Sequence, residues 1–332
     1  MKCVKKNEGF RRRQFALNCG LANSLKVIIN NDDKWATANI REFYKALRAD
    51  GHDAYIVAPA ERQSGQGGRT VFSAEATLSR SGQFDAAPSF GSDPIDSHIW
   101  YYNGTPAAVT FFALNYPVKR QQIFNGSEPD LIVTGPNEGS NADPFVFTLS
   151  GTFGAAYAAV SRGIPAIAFS ATDILNREYT AVNTTNDLAT ILGKLATKVV
   201  GRLEAKANGE NSRLLPYGYG LNVNFPYIST KPTALSDGVS CIKPPSVYTR
   251  LTGGAATNIA AYNEETGMFN WASNFTSPGV NACINGDREL PGETGVIKDC
   301  KSAISIFTID YVVVVRRGLE SCWLGWWRTR GR

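Results

Sequence analysis

The chain has 332 residues, a length that corresponds to two domains or to one large domain with extensions. Its hydrophobic content of 43% and charged content of 19% are typical of a globular chain and exclude a wholly disordered one. No stretch reaches the roughly 18 uncharged apolar residues that a membrane-spanning helix requires, so we expect no membrane span.

The net charge of +5 is concentrated at the two ends of the chain. The first thirteen residues carry +5 and the last seventeen carry +4, which leaves residues 14–315 at −4. A groove that follows a nucleic-acid backbone needs its basic residues in the folded part. The charge pattern therefore argues against a nucleic-acid polymer as a partner.

The composition divides the chain into three segments. Residues 1–24 are basic and then mildly apolar, like a degraded signal peptide, so we predict an N-terminal extension and favour secretion over a cytoplasmic location. Residues 25–311 are predicted to form the folded domain, with an α/β core over 25–226 and a C-terminal segment over 227–311. Residues 312–332 form a basic aromatic tail, which we predict to be disordered or an artefact of gene prediction.

Short apolar runs alternate with amphipathic segments from residue 25 onward. We expect residues 79–97 to be weakly structured. The pattern predicts helices near 36–50, 152–162 and 187–205, and strands at 25–29, 54–58, 131–134, 166–169, 221–225 and 303–311. A strand–helix–strand order produces parallel strands with a right-handed crossover. We therefore predict an α/β fold with a doubly wound, mainly parallel Rossmann-type sheet, followed by an irregular, β-containing C-terminal segment.

Polar side chains follow three of the predicted strands. Asp32 and Asp33 come after the first strand, Ser64 after the second, and Asn137 after the strand at 131–134. Ligands of such sheets bind beyond the carboxyl ends of the strands. The sequence therefore predicts that these side chains meet at one edge of the sheet.

Asp32 and Asp33 suit a hard divalent cation. Two adjacent carboxylates repel each other unless a cation offsets their charge, and Mg²⁺ and Mn²⁺ prefer oxygen ligands. The alternative is a structural one, since an Asp at a helix start satisfies free N–H groups and interacts favourably with the helix dipole. Spacing alone leaves both interpretations open.

Three further motifs have the same ambiguity. The glycine-rich loop at 64–68 matches neither common phosphate-loop motif, so it is either a phosphate loop or a flexible turn. Asn141 belongs to an amide-bearing loop that is also compatible with an Asx turn. The run of Ser150, Gly151 and Thr152 begins a helix, where it would hold a phosphate or simply cap the helix.

Taken together, the ordered motifs resemble the SurE family of metal-dependent phosphatases and nucleotidases, and in particular its fungal acid-phosphatase-like branch. The motifs are Asn-Asp-Asp at 31–33, Ala-Pro followed by Gln-Ser-Gly at 58–65, Gly-Thr-Pro-Ala at 104–107, Gly-Pro-Asn-Glu-Gly-Ser-Asn at 135–141, Ser-Gly-Thr at 150–152 and Gly-Ile-Pro-Ala-Ile-Ala at 163–168.

The resemblance implies a phosphomonoesterase that hydrolyses nucleoside 5′- or 3′-monophosphates with metal-activated water. It implies one Mg²⁺ or Mn²⁺ per subunit, and a homodimer or higher homo-oligomer. The implied metal ligands are Asp32, Asp33, Ser64 and Asn137, of which the two carboxylates are also the implied catalytic residues. The implied phosphate contacts are Asn141, Ser150, Gly151 and Thr152.

The chain departs from the family at Lys34, where the family usually has glycine. If that position needs a positive φ, lysine costs roughly 1 kcal/mol or more. The Lys34 ammonium would then contact phosphate or compete with the metal for the carboxylates. Two alternatives to the phosphatase remain: a catalytically impaired nucleotide-binding module of the same fold, and a nucleotide-sugar transferase, which would need an Asp-x-Asp-type pair and a base-binding loop.

The six cysteines include no Cys-x-x-Cys pair, so a zinc ribbon and a thioredoxin motif are not expected. Cys241, Cys283 and Cys300 lie in the C-terminal third. One disulfide among these three is compatible with an exported protein, and the sequence does not choose the pair.

Overall fold

The structure is a computed structural model that describes residues 24–310, apart from 79–86, 174–175, 211, 234–237, 239, 252–255 and 279–288. The predicted basic tail at 312–332, and all but the last residue of the predicted N-terminal extension, lie outside the described residues. Among those described, no helix is both long enough and apolar enough to cross a membrane.

The described residues contain eleven strands and six α-helices. The strands are β1 (Lys26–Asn30), β2 (Asp53–Pro59), β3 (Phe90–Ser92), β4 (Ile99–Tyr102), β5 (Leu131–Glu138), β6 (Ala166–Ala171), β7 (Tyr219–Phe225), β8 (Ser246–Thr249), β9 (Ala256–Asn263), β10 (Met268–Pro278) and β11 (Ser302–Thr308). The helices are α1 (Ala38–Ala49), α2 (Pro106–Ala113), α3 (Pro144–Leu149), α4 (Gly151–Ser161), α5 (Leu188–Glu210) and α6 (Glu293–Lys298).

Nine strands form one sheet in the order β3-β4-β2-β1-β5-β6-β7-β11-β8. The six strands from β4 to β7 pair in parallel, while β3 and β11 run antiparallel to β4 and β7. Helices cover both faces: α1 and α5 pack against each other over one face, and α2 and α4 over the other. The predicted doubly wound, mainly parallel α/β fold is confirmed.

Apolar side chains of the central strands alternate between two cores. On β1, Val27 and Ile29 belong to the core beneath α1 and α5, while Ile28 belongs to the core beneath α2 and α4. Both faces of the strand are thus buried, which explains why its sequence is a continuous apolar run rather than an alternating one.

Strand β5 is longer than predicted. The sequence pattern ends it at Thr134 because Gly135 and Pro136 usually terminate a strand. In the structure it continues to Glu138, with a register shift against β6 between Thr134 and Asn137 and a positive φ of 94° at Gly135. The irregularity carries Asn137 and Glu138 further along the strand axis, to the edge where β1 ends.

The C-terminal segment contains more regular structure than the irregular pattern suggested. Strands β9 and β10 form a separate antiparallel hairpin, and β8 joins the main sheet beside β11. Cys241 and Cys300 form a disulfide with their Cα atoms 5.7 Å apart, whereas Cys283 lies outside the described residues. The disulfide ties the residues before β8 to the start of β11.

Candidate active site

The acidic doublet lies directly beyond the carboxyl end of β1. Asp32 is 2% exposed and Asp33 is 1% exposed, so both carboxylates are removed from bulk water. Burial of two adjacent ionisable groups is unfavourable without strong compensation. The surroundings of each carboxylate therefore indicate what the doublet is built for.

Asp32 contacts the N-terminus of α4. Its Oδ1 accepts a hydrogen bond from the Thr152 hydroxyl at 2.6 Å, and its Oδ2 accepts one from the Thr152 backbone N–H at 3.1 Å. Gly151 allows this approach, because a Cβ there would meet the Asp32 Cβ and Oδ2 and the Pro106 Cγ at 3.0 Å each. Asp32 is therefore fixed by a helix start that belongs to another part of the chain.

Asp33 contacts a cation and the end of β5. Its Oδ1 accepts from the Arg62 guanidinium at 2.8 Å, and its Oδ2 accepts from the Glu138 backbone N–H at 2.8 Å. The same Arg62 nitrogen donates to Glu138 Oε2 at 3.2 Å. Arg62 thus partly offsets the charge of two buried carboxylates.

Burial dominates the electrostatics of this pair. It raises the pKa of Asp32 to about 7, with a further increase from the neighbouring Asp33 charge and opposing hydrogen bonds from Thr152. Burial also raises the pKa of Asp33, against the lowering effects of the Glu138 N–H and Arg62. The ionised pair would be stabilised by a further cation.

The structure places Ser64 and Asn137 in segments that adjoin the doublet. The backbone N–H of Gln63, next to Ser64, donates to the Asp32 carbonyl at 2.7 Å, and the Ser64 side chain is exposed. Asn137 precedes Glu138, whose N–H bonds Asp33. The Asn137 Nδ2 donates to the Gly139 carbonyl at 2.7 Å, which fixes the amide and leaves its oxygen as an acceptor for another partner.

The glycine-rich loop after Ser64 packs on the start of α4. The Gly67 N–H donates to the Leu149 carbonyl at 2.9 Å. A Cβ on Gly154 would lie 1.9 Å from the Gly67 carbonyl oxygen, so these two backbones touch directly. The close packing holds the Ser64 loop against the same helix that holds Asp32.

The predicted phosphate contacts lie in two places, at the start of α4 and in the loop that follows β5. Ser150 caps α4 by accepting from the Phe153 N–H at 3.1 Å, and Gly151 is the first residue of that helix. The Thr152 hydroxyl and N–H both donate to Asp32, so the direct phosphate contact of Thr152 stays a prediction. Asn141 is 5% exposed, and its Nδ2 donates to the Ser170 hydroxyl at 2.8 Å.

The donor set fits a divalent cation. Each carboxylate oxygen of Asp32 and Asp33 accepts one hydrogen bond and keeps capacity for another partner. In the part of the chain that is described, no group of three or more His, Cys, Asp or Glu side chains is placed to hold a metal. A cation here would therefore need neutral oxygens beside the carboxylates, which is a hard-ion donor set.

Lys34 has the strained backbone expected of a lysine at a glycine position. Its φ is 89°, in the region that favours glycine. Its ammonium pairs with Glu178 Oε1, and the lysine side chain is 30% exposed. The lysine side chain is therefore bound by an acid outside the doublet, and competition for Asp32 and Asp33 finds no support.

Sequence reasoning missed two residues of this site, Arg62 and Glu138. Both lie inside motifs that were recognised, Arg62 two residues before Ser64 and Glu138 directly after Asn137. The need to balance buried charge could have indicated Arg62. Two carboxylates predicted at one sheet edge require a positive charge nearby, and Arg62 is two positions from a predicted metal ligand.

Comparisons with known proteins agree with this architecture. Residues 27–245 match the family described as survival protein SurE. An acid phosphatase of Yarrowia lipolytica is 42% identical over 293 residues, which are 86% of this chain and 79% of that protein. A 5′-nucleotidase SurE of Methanocella arvoryzae is 31% identical over 68% of this chain and 72% of its own. The crystal structure of the SurE protein from Aquifex aeolicus superposes with a TM-score of 0.58 at 19% identity, covering 89% of this chain and 98% of that one.

The chain belongs to the SurE family, as its ordered motifs predicted. Its class is that of a phosphoric monoester hydrolase, in agreement with the names of these relatives.

Proposed function

We propose that the chain is a metal-dependent phosphomonoesterase that hydrolyses nucleoside 5′- or 3′-monophosphates. The main observation that supports this proposal is the buried Asp32–Asp33 pair at the carboxyl end of β1. The backbone N–H groups of Thr152 and Glu138 donate to the two carboxylates and fix their orientation. One Mg²⁺ or Mn²⁺ would be held by Asp32, Asp33, Ser64 and Asn137. When bound, such an ion supplies charge for a phosphoryl oxygen and lowers the pKa of water.

The residues of this chain would orient the doublet and the phosphate. Thr152 fixes both oxygens of Asp32, so that carboxylate needs little reorganisation when substrate binds. The start of α4, at Ser150 and Gly151, offers a helix N-terminus for the phosphate oxygens. Asn141 adds an amide whose position is set by buried hydrogen bonds.

The alternative of a catalytically impaired module is not favoured. It required the Lys34 ammonium to occupy the cation position, and that ammonium pairs with Glu178 instead. For the nucleotide-sugar transferase, the structure adds no supporting observation.

We also propose that the chain forms a homodimer or a higher homo-oligomer. The β9–β10 hairpin forms its own two-stranded sheet and exposes large apolar side chains, including Met268 (64%), Phe269 (67%) and Trp271 (52%). Exposed apolar surface of this kind is typical of association sites. Light scattering of the purified chain measures the oligomeric state directly.

An assay with p-nitrophenyl phosphate tests the activity. Hydrolysis should disappear with EDTA and return with added Mn²⁺ or Mg²⁺. Comparing AMP, 3′-AMP and glycerol 2-phosphate then tests the preference for nucleotides. Turnover that persists in EDTA would refute the metal dependence. Equal rates on all three esters would refute the preference for nucleotides and leave the phosphomonoesterase activity standing.

A further inference from the structure

A buried polar cluster links the C-terminal segment to the loop that carries Asn141. Its central acid is Glu293, the first residue of α6, which is 0% exposed. Asn222 and Asn224 on β7 and Ser170 on β6 are also 0% exposed. Ser170 and Asn224 are paired in register on adjacent strands. These four side chains and Asn141 form what we call the amide cluster.

The amide cluster holds the backbone of Asn141 on both sides. The Asn222 Nδ2 donates to Glu293 Oε1 at 3.0 Å and to the Asn141 carbonyl at 3.0 Å. The Asn224 Nδ2 donates to the same carbonyl at 3.2 Å, and its Oδ1 accepts from the Asn141 N–H at 2.8 Å. Both peptide groups of Asn141 are therefore fixed by side chains of β7.

The Asn141 side chain is fixed as well, because its Nδ2 donates to the Ser170 hydroxyl at 2.8 Å. With its backbone and its Nδ2 both bound, the amide plane has little freedom to rotate. Such preorganisation is what a residue needs if it is to meet a phosphate oxygen without rearrangement.

Burying the Glu293 carboxyl group costs desolvation free energy that a purely structural role would not require. Its Oε2 and the Asn222 Oδ1 have no hydrogen-bond partner within the described part of the chain. Burial raises the pKa of Glu293 to about 7, although Ser305, Asn222 and the Asp143 backbone lower it. A well-packed apolar side chain would avoid this desolvation cost. Of the groups that bond Glu293, Asn222 is the one that also donates to the Asn141 carbonyl.

We propose that Glu293 is a positioning residue: by accepting a hydrogen bond from Asn222 it holds that amide against the Asn141 carbonyl and so orients Asn141 toward the substrate phosphate. The inference rests on the proposed function, in which Asn141 contacts the phosphate. It assigns the C-terminal segment a part in the active site through an element outside the α/β core.

Two substitutions and a matched control test it. Glu293→Ala removes the acceptor, and kcat/KM for AMP should fall by about 10-fold or more, the loss typical of residues that orient a ligand-binding side chain. Glu293→Gln keeps an acceptor oxygen and should restore most of this loss. Val296→Ala loosens the same short helix, where Val296 is 7% exposed, and should leave kcat/KM within about 2-fold, as expected of a site outside the network.

A double-mutant cycle separates positioning from general destabilisation. In an Asn141→Ala background, Glu293→Ala should change kcat/KM by less than about 2-fold, because the residue that it positions is already gone. Mn²⁺ affinity, measured by calorimetry, should be the same in all folded variants, since the predicted metal ligands lie outside the amide cluster. Full additivity in the cycle, or an equal loss with Glu293→Gln, would overturn the proposal.

Failure of the proposed function gives a different result. If the unaltered chain hydrolyses no phosphomonoester, calorimetric binding of inorganic phosphate in the presence of Mn²⁺ replaces kcat/KM as the readout. Phosphate affinity that falls with Glu293→Ala and recovers with Glu293→Gln would still support the positioning role. Phosphate affinity that does not respond to either substitution would overturn it.

Discussion

Among the described residues, buried carboxyl groups lie beyond the end of β1, at Asp32 and Asp33, and beside β7, at Glu293. In both, burial raises the carboxyl pKa, to about 7 at Asp32 and to about 7 at Glu293. Their partners differ. Asp32 and Asp33 are adjacent like charges held by backbone N–H groups, a hydroxyl and Arg62. Glu293 bonds the neutral amide of Asn222, and the nearby Asp143 charge adds less to its raised pKa than burial does.

The difference separates two uses of a buried carboxyl group. A like-charged pair gains stability when a cation arrives, so the doublet suits an ion-binding role. Glu293 has no carboxylate next to it in the chain, bonds a neutral amide and is neutral at mildly acidic pH, so it serves as a fixed hydrogen-bonding group. A raised pKa alone does not distinguish the two roles, whereas the identity of the neighbours does.

The largest expected effect is the loss of activity when a charge is removed from the acidic doublet. Asp33→Asn keeps the shape and the Glu138 hydrogen bond but removes one charge, and it should lower kcat/KM for p-nitrophenyl phosphate by about 1,000-fold, at the upper end of losses for one electrostatic group. Asp50→Asn, at an exposed turn, is the matched control and should retain activity. Near-normal turnover in folded Asp33→Asn would remove the doublet from the mechanism.

The raised pKa of Glu293 predicts that the stability of the folded chain depends on pH. Because burial raises the pKa of Glu293 to about 7 in the folded state, above its ordinary value of 4.5, the folded state holds the proton more tightly, and its stability falls as pH rises from about 4.5 to about 7. Glu293→Gln should abolish that loss and be more stable than the unaltered chain by about 3 kcal/mol above pH 7, from 1.36 kcal/mol per unit. Urea unfolding at several pH values measures it, and parallel curves for the two proteins would contradict it.

The contact between α4 and Asp32 predicts a loss of intermediate size. Gly151→Ala places a Cβ 3.0 Å from Asp32 and Pro106, so these neighbours must move by a few tenths of an ångström, and we expect a destabilisation of about 2 kcal/mol with reduced activity. Gly209→Ala, where a Cβ meets nothing within 4 Å, is the control. Thermal unfolding compares the two variants, and equal stabilities would mean that α4 does not press on Asp32.

The smallest expected effect is at Lys34, in the loop that follows the doublet. Lys34→Gly removes the backbone strain at φ 89° and should raise the free energy of unfolding by about 1 kcal/mol, an increase that loss of the half-buried ion pair with Glu178 would reduce. Lys34→Ala keeps the strain and loses the pair, so it should be slightly destabilised. A Gly variant no more stable than the Ala variant would show that this backbone is unstrained.

Much of the fold follows from the sequence because buried parallel strands are continuous apolar runs and their order along the chain limits the topology. The approach of the doublet to the end of β5 could be anticipated in the same way, since parallel strands end at one edge, although Glu138 itself was not singled out. Glu293 could not, because it lies about 70 residues from Asn222 in a segment without periodicity. The extension of β5 past Gly135 depends on a local irregularity that overrides the usual effect of Gly-Pro.

The arrangement of the cation site is tested most directly by a crystal structure of the chain with Mn²⁺, using anomalous scattering to locate the ion. We expect one Mn²⁺ per chain, with oxygens of Asp32, Asp33, Ser64 and Asn137 at about 2.2 Å, the usual metal–oxygen distance. A Mn²⁺ bound elsewhere, or a doublet that remains paired only with Arg62 and Thr152 in saturating Mn²⁺, would contradict it.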